Sequence, residues 1–153
     1  MPMLLQDKLT EDMKSAMKAG DTLKVSVLRL LRSELKYAEI AKGQPLTEDD
    51  VLQATAREAK KRREAIEQFE KGGRTDLVEK ETAELKILSE YLPEQLSEQE
   101  VAGIAREVIR ELHATSKADK GKVMGALMQR LRGKADGKMV NVVVDRLLEG
   151  SSA

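Results

Sequence analysis

The chain has 153 residues, of which 35% are charged and 2% are aromatic, and its 27 Lys and Arg residues balance its 27 Asp and Glu residues. A net charge of zero argues against a uniformly basic nucleic-acid coat and against an acidic solvating tail. The absence of Cys excludes disulfides, thiolate zinc sites and a Cys nucleophile. No apolar run approaches the roughly 20 residues of a membrane span and no signal-peptide core follows Met1, so we expect a soluble, cytoplasmic protein.

Leu, Ala, Glu, Lys and Arg are abundant, which favours helices over sheet. Helix start and stop residues predict seven helices, with approximate ranges 4–19, 22–42, 47–71, 75–92, 97–113, 116–132 and 136–150. Thr47 with Asp50, and Ser97 with Glu100, have the spacing of capping boxes. The sequence therefore predicts an all-α fold.

Pro93 marks a predicted domain boundary, because the residue before a proline is disfavoured in a helix. Four long predicted helices precede Pro93 and three shorter ones follow it. We therefore predict an N-terminal helical bundle domain at residues 1–93 and a small C-terminal three-helix domain at residues 94–150.

Two apolar stripes run along the second predicted helix. The first, at three- and four-residue spacing, consists of Val27, Leu28, Leu31, Leu35 and Ala38. The second, at seven-residue spacing, consists of Leu23, Leu30 and Tyr37. At about 100° per residue the two stripes cover nearly half of the circumference. This pattern predicts that the second helix lies at the centre of the N-terminal bundle.

Charge is unevenly placed in the C-terminal part. Residues 94–111 contain five acids and two bases, a net charge of −3, whereas residues 116–138, the basic segment, contain seven bases and two acids, a net charge of +5. In the sixth predicted helix, Lys122, Gly125, Gln129 and Arg132 follow at spacings that place them in one sector. Gly121 and Gly125 each cost a helix roughly 1 kcal/mol relative to Ala, which indicates a close approach by another helix or by a phosphate chain.

The loop 133–138 follows, with a glycine near each end and two lysines. Its backbone N–H groups precede the seventh helix, where the helix dipole favours anions. Lysines, an arginine and free N–H groups suit phosphate recognition. The alternative is a solvated helix face with a Gly-containing turn, which the charge pattern alone favours. A second basic cluster, at residues 57–63, has acidic partners at four-residue spacing or across to another helix, and we interpret it as structural.

No catalytic constellation is visible in the sequence. The single histidine, His113, stands near the end of the fifth predicted helix, where we expect a local capping role. Ser116 is close to it, but no third group is specified for a nucleophile and base. There is no P-loop, no dinucleotide fingerprint and no metal-ligand spacing, so we expect no catalytic residue, no metal and no cofactor.

The segments 116–128, 133–137 and 140–141 together resemble the C-terminal signature of the GatB/YqeY family. Upstream, the segments 57–62, 73–74 with Phe69, and 91–97 resemble other segments shared in that family. The resemblance extends from the first helix to Leu147, and the chain looks like a free-standing YqeY-like protein. It implies an all-helical N-terminal domain joined near Pro93 to a smaller three-helix domain.

The resemblance also implies a function. The C-terminal module is similar to the tail of the B subunit of the tRNA-dependent amidotransferase, a tail associated with holding tRNA. We therefore expect a non-catalytic tRNA-binding or tRNA-metabolism accessory module. The expected RNA-binding residues are Lys122, Gly125, Arg130, Arg132, Lys134 and Lys138.

Two alternatives stay open at this point. One is a protein-interaction adaptor that docks on an aminoacyl-tRNA synthetase or an amidotransferase. The other is a carbon–nitrogen ligase with glutamine as amide donor. That label often accompanies the family, and we interpret it as inherited by association because the residues show no chemistry for it.

Overall fold

The computed structural model describes the backbone of residues 3–151 and the side chains of residues 3–149. Regular structure in this range is helical, which confirms the all-α prediction. The helices are α1 (Leu5–Ala19), α2 (Thr22–Lys42), α3 (Glu48–Lys71), α4 (Thr75–Ser89), α5 (Glu98–Glu111), α6 (Lys120–Arg130) and α7 (Gly137–Ser151), with a 3₁₀ turn at Lys117–Asp119 before α6. None of these helices is long and apolar enough to cross a membrane.

Close approaches between α-carbons divide the chain into two compact units. The N-terminal unit ends at Pro93 and the C-terminal unit begins at Glu94. The assignment of two independently folding domains stays a prediction from the sequence.

The N-terminal unit is built around α2, which packs against α1, α3 and α4, as predicted. The first apolar stripe of α2 is buried except for Ala38, which is partly exposed, and it forms the core with Leu9 and Met13 of α1, Val51 and Ala54 of α3, and Leu88 and Tyr91. The second stripe is largely not in the core: Leu23 packs against it, but Leu30 and Tyr37 are exposed. The prediction of an apolar face covering half of α2 was therefore wrong, because Tyr37 lies roughly 130° around the helix from the buried stripe.

Charged side chains connect α3 to α4. Arg62 donates a 2.9 Å hydrogen bond to Glu81, and its guanidinium nitrogen lies 2.5 Å from Glu84 in an ion pair without hydrogen-bond geometry. Glu58, one turn earlier on α3, accepts a hydrogen bond from Lys61. The pairing of Arg62 across to α4 confirms the structural interpretation for this residue, and for the rest of the 57–63 cluster it stays a prediction.

Tyr91 ties the end of the N-terminal unit to α1. Its hydroxyl donates a 2.5 Å hydrogen bond to Asp12, and the ammonium group of Lys8 lies 4.9 Å from the centre of its ring. Burial, together with the nearby Asp12 carboxylate, raises the pKa of Tyr91. The phenol therefore stays neutral and acts as a hydrogen-bond donor at the edge of the core.

The C-terminal unit is a three-helix bundle in which α5, α6 and α7 contact one another pairwise. Each helix contributes small and medium-sized apolar side chains to one core: Val101, Ala105, Val108, Val123, Leu127, Leu131, Val140, Val143, Val144 and Leu148. The predicted capping boxes at Thr47 and Ser97 are both present, so the starts of α3 and α5 are confirmed.

Three predicted helices have different bounds in the structure. The helix predicted to reach Leu92 ends at Ser89, and the one predicted to reach His113 ends at Glu111. The predicted helix 116–132 is replaced by the 3₁₀ turn and the shorter α6. The 3₁₀ turn forms because the Ser116 hydroxyl accepts a hydrogen bond from the N–H of Ala118, and the Asp119 carboxylate accepts one from Thr115.

Candidate nucleic-acid interface

The basic segment spans the 3₁₀ turn, α6, the following turn and the start of α7. Val123 and Leu127 of α6 are fully buried in the core of the C-terminal unit. Lys122, Gly125 and Gln129 are exposed. The core contacts of α6 therefore fix the orientation in which these three residues face solvent.

Gly121 and Gly125 have open space where a side chain would be. A Cβ atom built at either position meets no heavy atom within 4 Å among its non-local neighbours. The described part of the chain therefore gives no packing reason for these glycines, although each costs the helix about 1 kcal/mol relative to Ala. The sequence-based idea that another helix of this chain packs closely on Gly125 finds no support in the geometry.

At least three of the seven cations in the basic segment form ion pairs with acids outside it. Lys117 pairs with Glu149 at 2.6 Å and Lys120 with Asp145 at 2.8 Å, both on α7. Arg130 pairs with Glu111 of α5 and lies 4.0 Å from Glu107. These pairs hold the basic segment to α5 and α7 and reduce the positive charge that the segment offers to a ligand.

The other four cations, Lys122, Arg132, Lys134 and Lys138, are exposed. Lys122 and Lys134 form no ion pair with any residue between 3 and 149. Arg132 lies in the turn after α6, so the predicted single helix sector extends only from Lys122 to Gln129. The candidate surface thus combines a helix face with a turn, and it includes Arg130, whose guanidinium pairs with acids of α5.

The turn after α6 is held by the segment that precedes α5. Gly133 has a φ of 72°, a left-handed conformation that glycine adopts without steric cost. Its carbonyl oxygen accepts a 2.7 Å hydrogen bond from the side-chain amide of Gln95. The next carbonyl, that of Lys134, accepts a 2.8 Å hydrogen bond from the N–H of Leu96. The two sequence segments 91–97 and 133–137 therefore meet in space, and this contact positions Lys134.

The start of α7 lies directly after this turn. Lys138 is in the first turn of α7 and exposed, beside N–H groups that have no partner within the helix. The pKa of Asp119, before α6, is lowered because its carboxylate accepts the Thr115 N–H. Asp119 stays ionised and slightly offsets the charge of Lys122 nearby.

Sequence reasoning missed a second basic groove, between α5 and α7. Arg106 and Arg110 of α5 line this groove, and so does Leu147 of α7. Two adjoining clefts, of about 560 and 820 Å³, share Arg106 and Leu147. The signal was present in the four-residue spacing of the two arginines, but residues 94–111 are acidic overall and this concealed it.

His113 has a conformational role. Its φ is 54°, and its N–H and that of Ala114 bond back to Arg110 and Ile109, which closes α5 in a Schellman-like arrangement. The Ser116 hydroxyl is engaged with the N–H of Ala118, and no hydrogen bond joins it to His113 in the described structure. No group of acidic or imidazole side chains among the described residues could hold a metal ion.

Comparison with known proteins finds one family model and several curated relatives that match the chain. The family model described as Yqey-like protein matches residues 6–148. An uncharacterized protein of Schizosaccharomyces pombe is 38% identical over 94 residues, which cover 61% of this chain and 73% of that protein.

Two further relatives carry the name altered inheritance of mitochondria protein 41, mitochondrial. The one from Pyrenophora tritici-repentis is 30% identical over 131 residues, covering 84% of this chain and 71% of the relative. The one from Saccharomyces cerevisiae is 32% identical over 132 residues, covering 85% of this chain and 69% of the relative.

Proposed function

Because this chain belongs to the family of Yqey-like proteins, we propose that it is a non-catalytic tRNA-binding accessory module. The resemblance of its C-terminal unit to the tail of the amidotransferase B subunit supports tRNA as the ligand. Presentation of bound tRNA to an aminoacyl-tRNA synthetase or to an amidotransferase fits such a module. Lys122, Gly125, Arg132, Lys134 and Lys138 form the proposed contact surface, with Arg130 at its margin.

The observation that carries the proposal is the exposed pair of glycines beside unpaired lysines on α6 and the following turn. Lys122 and Lys134 form no ion pair with a described residue, and Gly121 and Gly125 leave the α6 backbone open. A phosphate chain can lie against an open helix backbone while lysines of the same helix and the following turn neutralise it. This arrangement gives the glycines a use that packing inside the chain does not provide.

The proposed recognition is of RNA backbone and shape. The Phe and Tyr residues, Tyr37, Phe69 and Tyr91, all precede the C-terminal unit, and the chain has no Trp, so the imidazole of His113 is the one ring in that unit on which a base could stack. Double-stranded RNA is recognised mainly through phosphates and 2′-hydroxyl groups. The acceptor stem of a tRNA offers such a surface, and binding to it should depend strongly on salt.

The experiment measures the affinity of unfractionated tRNA by fluorescence anisotropy at roughly 50 and 200 mM salt. The Lys122→Glu/Lys134→Glu variant should bind at least about tenfold more weakly and with a shallower salt dependence, by about one unit for each lost phosphate contact. The matched control is Lys60→Glu/Lys80→Glu, two exposed lysines of the N-terminal unit with the same change in charge. Equal binding of both variants, or no binding of wild type at low salt, would overturn the proposal.

A further inference from the structure

The outward face of α2 carries a cluster of exposed apolar side chains. Leu30, Tyr37 and Ile40 are 43%, 69% and 69% exposed. At about 100° per residue they fall within a sector of roughly 80°, on the side of α2 away from its buried stripe. Tyr37 and Ile40, three residues apart, are neighbours on the helix surface, and Leu30 lies two turns before Tyr37 on the same side. Single exposed apolar residues are ordinary on a protein surface, whereas several on one side of a helix indicate a candidate interaction site.

Three cations run alongside this patch. Arg29, Arg32 and Lys36 are exposed and, unlike other cations of α2, form no ion pair with a described residue. Lys24 and Lys42, on the same helix, pair with Glu90 and Asp50. Glu39, also exposed on α2, lines the same groove as these cations, so the four side chains together leave a net charge of +2 on this side of the helix.

A groove between α1 and α2 adjoins the cations. It consists of two clefts, of about 680 and 500 Å³, that share Arg29 and Ser33. Met13 lines one cleft, and Met17, 57% exposed, lines the other. The apolar patch on α2, called the ridge below, thus lies beside the three cations, called the basic strip. The basic strip borders the groove, which two methionines of α1 line.

We propose that this α1–α2 surface, defined by Leu30, Tyr37, Ile40, Arg29, Arg32 and Lys36, binds an amphipathic helix of a partner protein. The apolar face of that helix packs on the ridge, and acidic residues along one flank lie against the basic strip. Helix-in-groove recognition needs such a ridge, and charge complementarity selects an acidic flank. A nucleic-acid phosphate backbone could pair with the cations, but it would make little favourable contact with the apolar side chains of Ile40 and Leu30.

A second copy of this chain fits the surface less well than a partner helix. The most acidic helices, α4 and α5, each contain four acids and two bases, and their apolar residues face the cores: Leu88 of α4 and Val101 and Val108 of α5 are buried. Self-association would therefore lack an acidic helix with a free apolar face. The surface lies in the N-terminal unit, so it is a site additional to the proposed RNA-binding residues.

The test uses two synthetic helical peptides as probes. Both carry Leu at alternating three- and four-residue spacing, and one flank is Glu in the first peptide and Lys in the second. Fluorescence anisotropy with the full chain should show that the Glu peptide binds at least tenfold more tightly than the Lys peptide. Amide shifts in NMR spectra should map the Glu peptide to residues 26–40.

Four variants sharpen the test, with helical content checked by circular dichroism. Arg32→Glu/Lys36→Glu should reverse the peptide preference, and Tyr37→Ser/Ile40→Ser should weaken the Glu peptide about tenfold. Lys60→Glu/Lys80→Glu is the charge-matched control and should leave binding unchanged. Lys122→Glu/Lys134→Glu should also leave it unchanged, so failure of the RNA proposal and failure of this one are distinguishable.

Several outcomes would overturn the proposal. These are no binding of either peptide, equal binding of both, or shifts that lie away from α2. Concentration-dependent dimerisation abolished by Tyr37→Ser/Ile40→Ser would identify a second copy as the occupant instead. Loss of tRNA affinity in Arg32→Glu/Lys36→Glu would identify RNA instead.

Discussion

The side-chain amide of Gln95 donates a 2.7 Å hydrogen bond to the carbonyl oxygen of Gly133. The N–H of Leu96 bonds to the next carbonyl, that of Lys134, at 2.8 Å. The segment before α5 thus fixes the turn after α6, which carries two of the cations proposed to contact RNA. The order of this turn, and hence the position of Lys134, depends on residues almost 40 positions away in the sequence.

Replacement of Gln95 by Ala should loosen this turn. We expect a loss of about 1 kcal/mol of unfolding free energy, typical of one hydrogen bond, and a fall of about threefold in tRNA affinity. Hydrogen exchange at residues 133–135 and anisotropy measure the two effects. Gln99→Ala, at an exposed position of α5, is the control. Unchanged exchange in Gln95→Ala would show that this hydrogen bond does not hold the turn.

Removal of Arg62 should destabilise the N-terminal unit, because it leaves Glu81 and Glu84 without their cation. The side chains of Arg62, Glu81 and Glu84 are 17%, 15% and 9% exposed, so water compensates the two carboxylates poorly. We expect Arg62→Met to cost about 3 kcal/mol in urea unfolding. Arg62→Met/Glu81→Gln/Glu84→Gln should recover much of this loss. A cost below about 1 kcal/mol for the single variant would contradict the burial argument.

Replacement of His113 by Gly should stabilise the C-terminal unit. His113 has a φ of 54°, which is sterically unfavourable for a residue with a Cβ atom and free of that cost for glycine. We expect a gain of about 0.5–1 kcal/mol in thermal or urea unfolding, whereas His113→Ala should give none. A His113→Gly protein no more stable than wild type would mean that the imidazole contributes as much as the strain costs.

The start of α3 should depend on pH through Asp50. The Lys42 ammonium, followed by the Thr47 N–H, lowers the pKa of Asp50 from 3.8 to about 2. Since the pKa is lower in the folded chain, the contribution of Asp50 is complete above pH about 4 and is lost as pH falls through about 2. Carboxyl ¹³C NMR titration measures this pKa directly. A pKa of Asp50 near 3.8 in the wild-type protein would contradict this prediction. A pKa that Lys42→Met leaves unchanged would contradict Lys42 as the cause.

Local features of the fold were predictable from the sequence. The capping boxes at Thr47 and Ser97 mark helix starts by side-chain bonds to the N–H three residues later, so their signal is contained within four residues. The apolar spacing of α2 likewise predicted its central place. The exposure of Leu30 and Tyr37 was not predictable, because periodicity shows which residues share a face and not whether a neighbour covers that face.

The sequence identified the residues of the candidate RNA-binding surface, but it did not predict their ion pairs or their positions. The ion pairs of Lys117, Lys120 and Arg130 join residues 19 to 32 positions apart, so sequence spacing could not identify which cations remain available. Local helix signals in the sequence also do not predict that α6 ends at Arg130 and that Arg132 therefore lies in a turn. Leu131, the residue after α6, is buried in the core of the C-terminal unit. The turn that follows it is held by hydrogen bonds from residues 95 and 96.

The most direct test of the proposed function is an NMR titration of the ¹⁵N-labelled chain with tRNA at low salt. We expect that the largest amide shifts fall on residues 120–138, including Gly121, Gly125 and Lys134, and that they disappear in Lys122→Glu/Lys134→Glu. Saturable shifts confined to other residues, or no shifts while the tRNA remains folded, would contradict a tRNA-binding role for the basic segment.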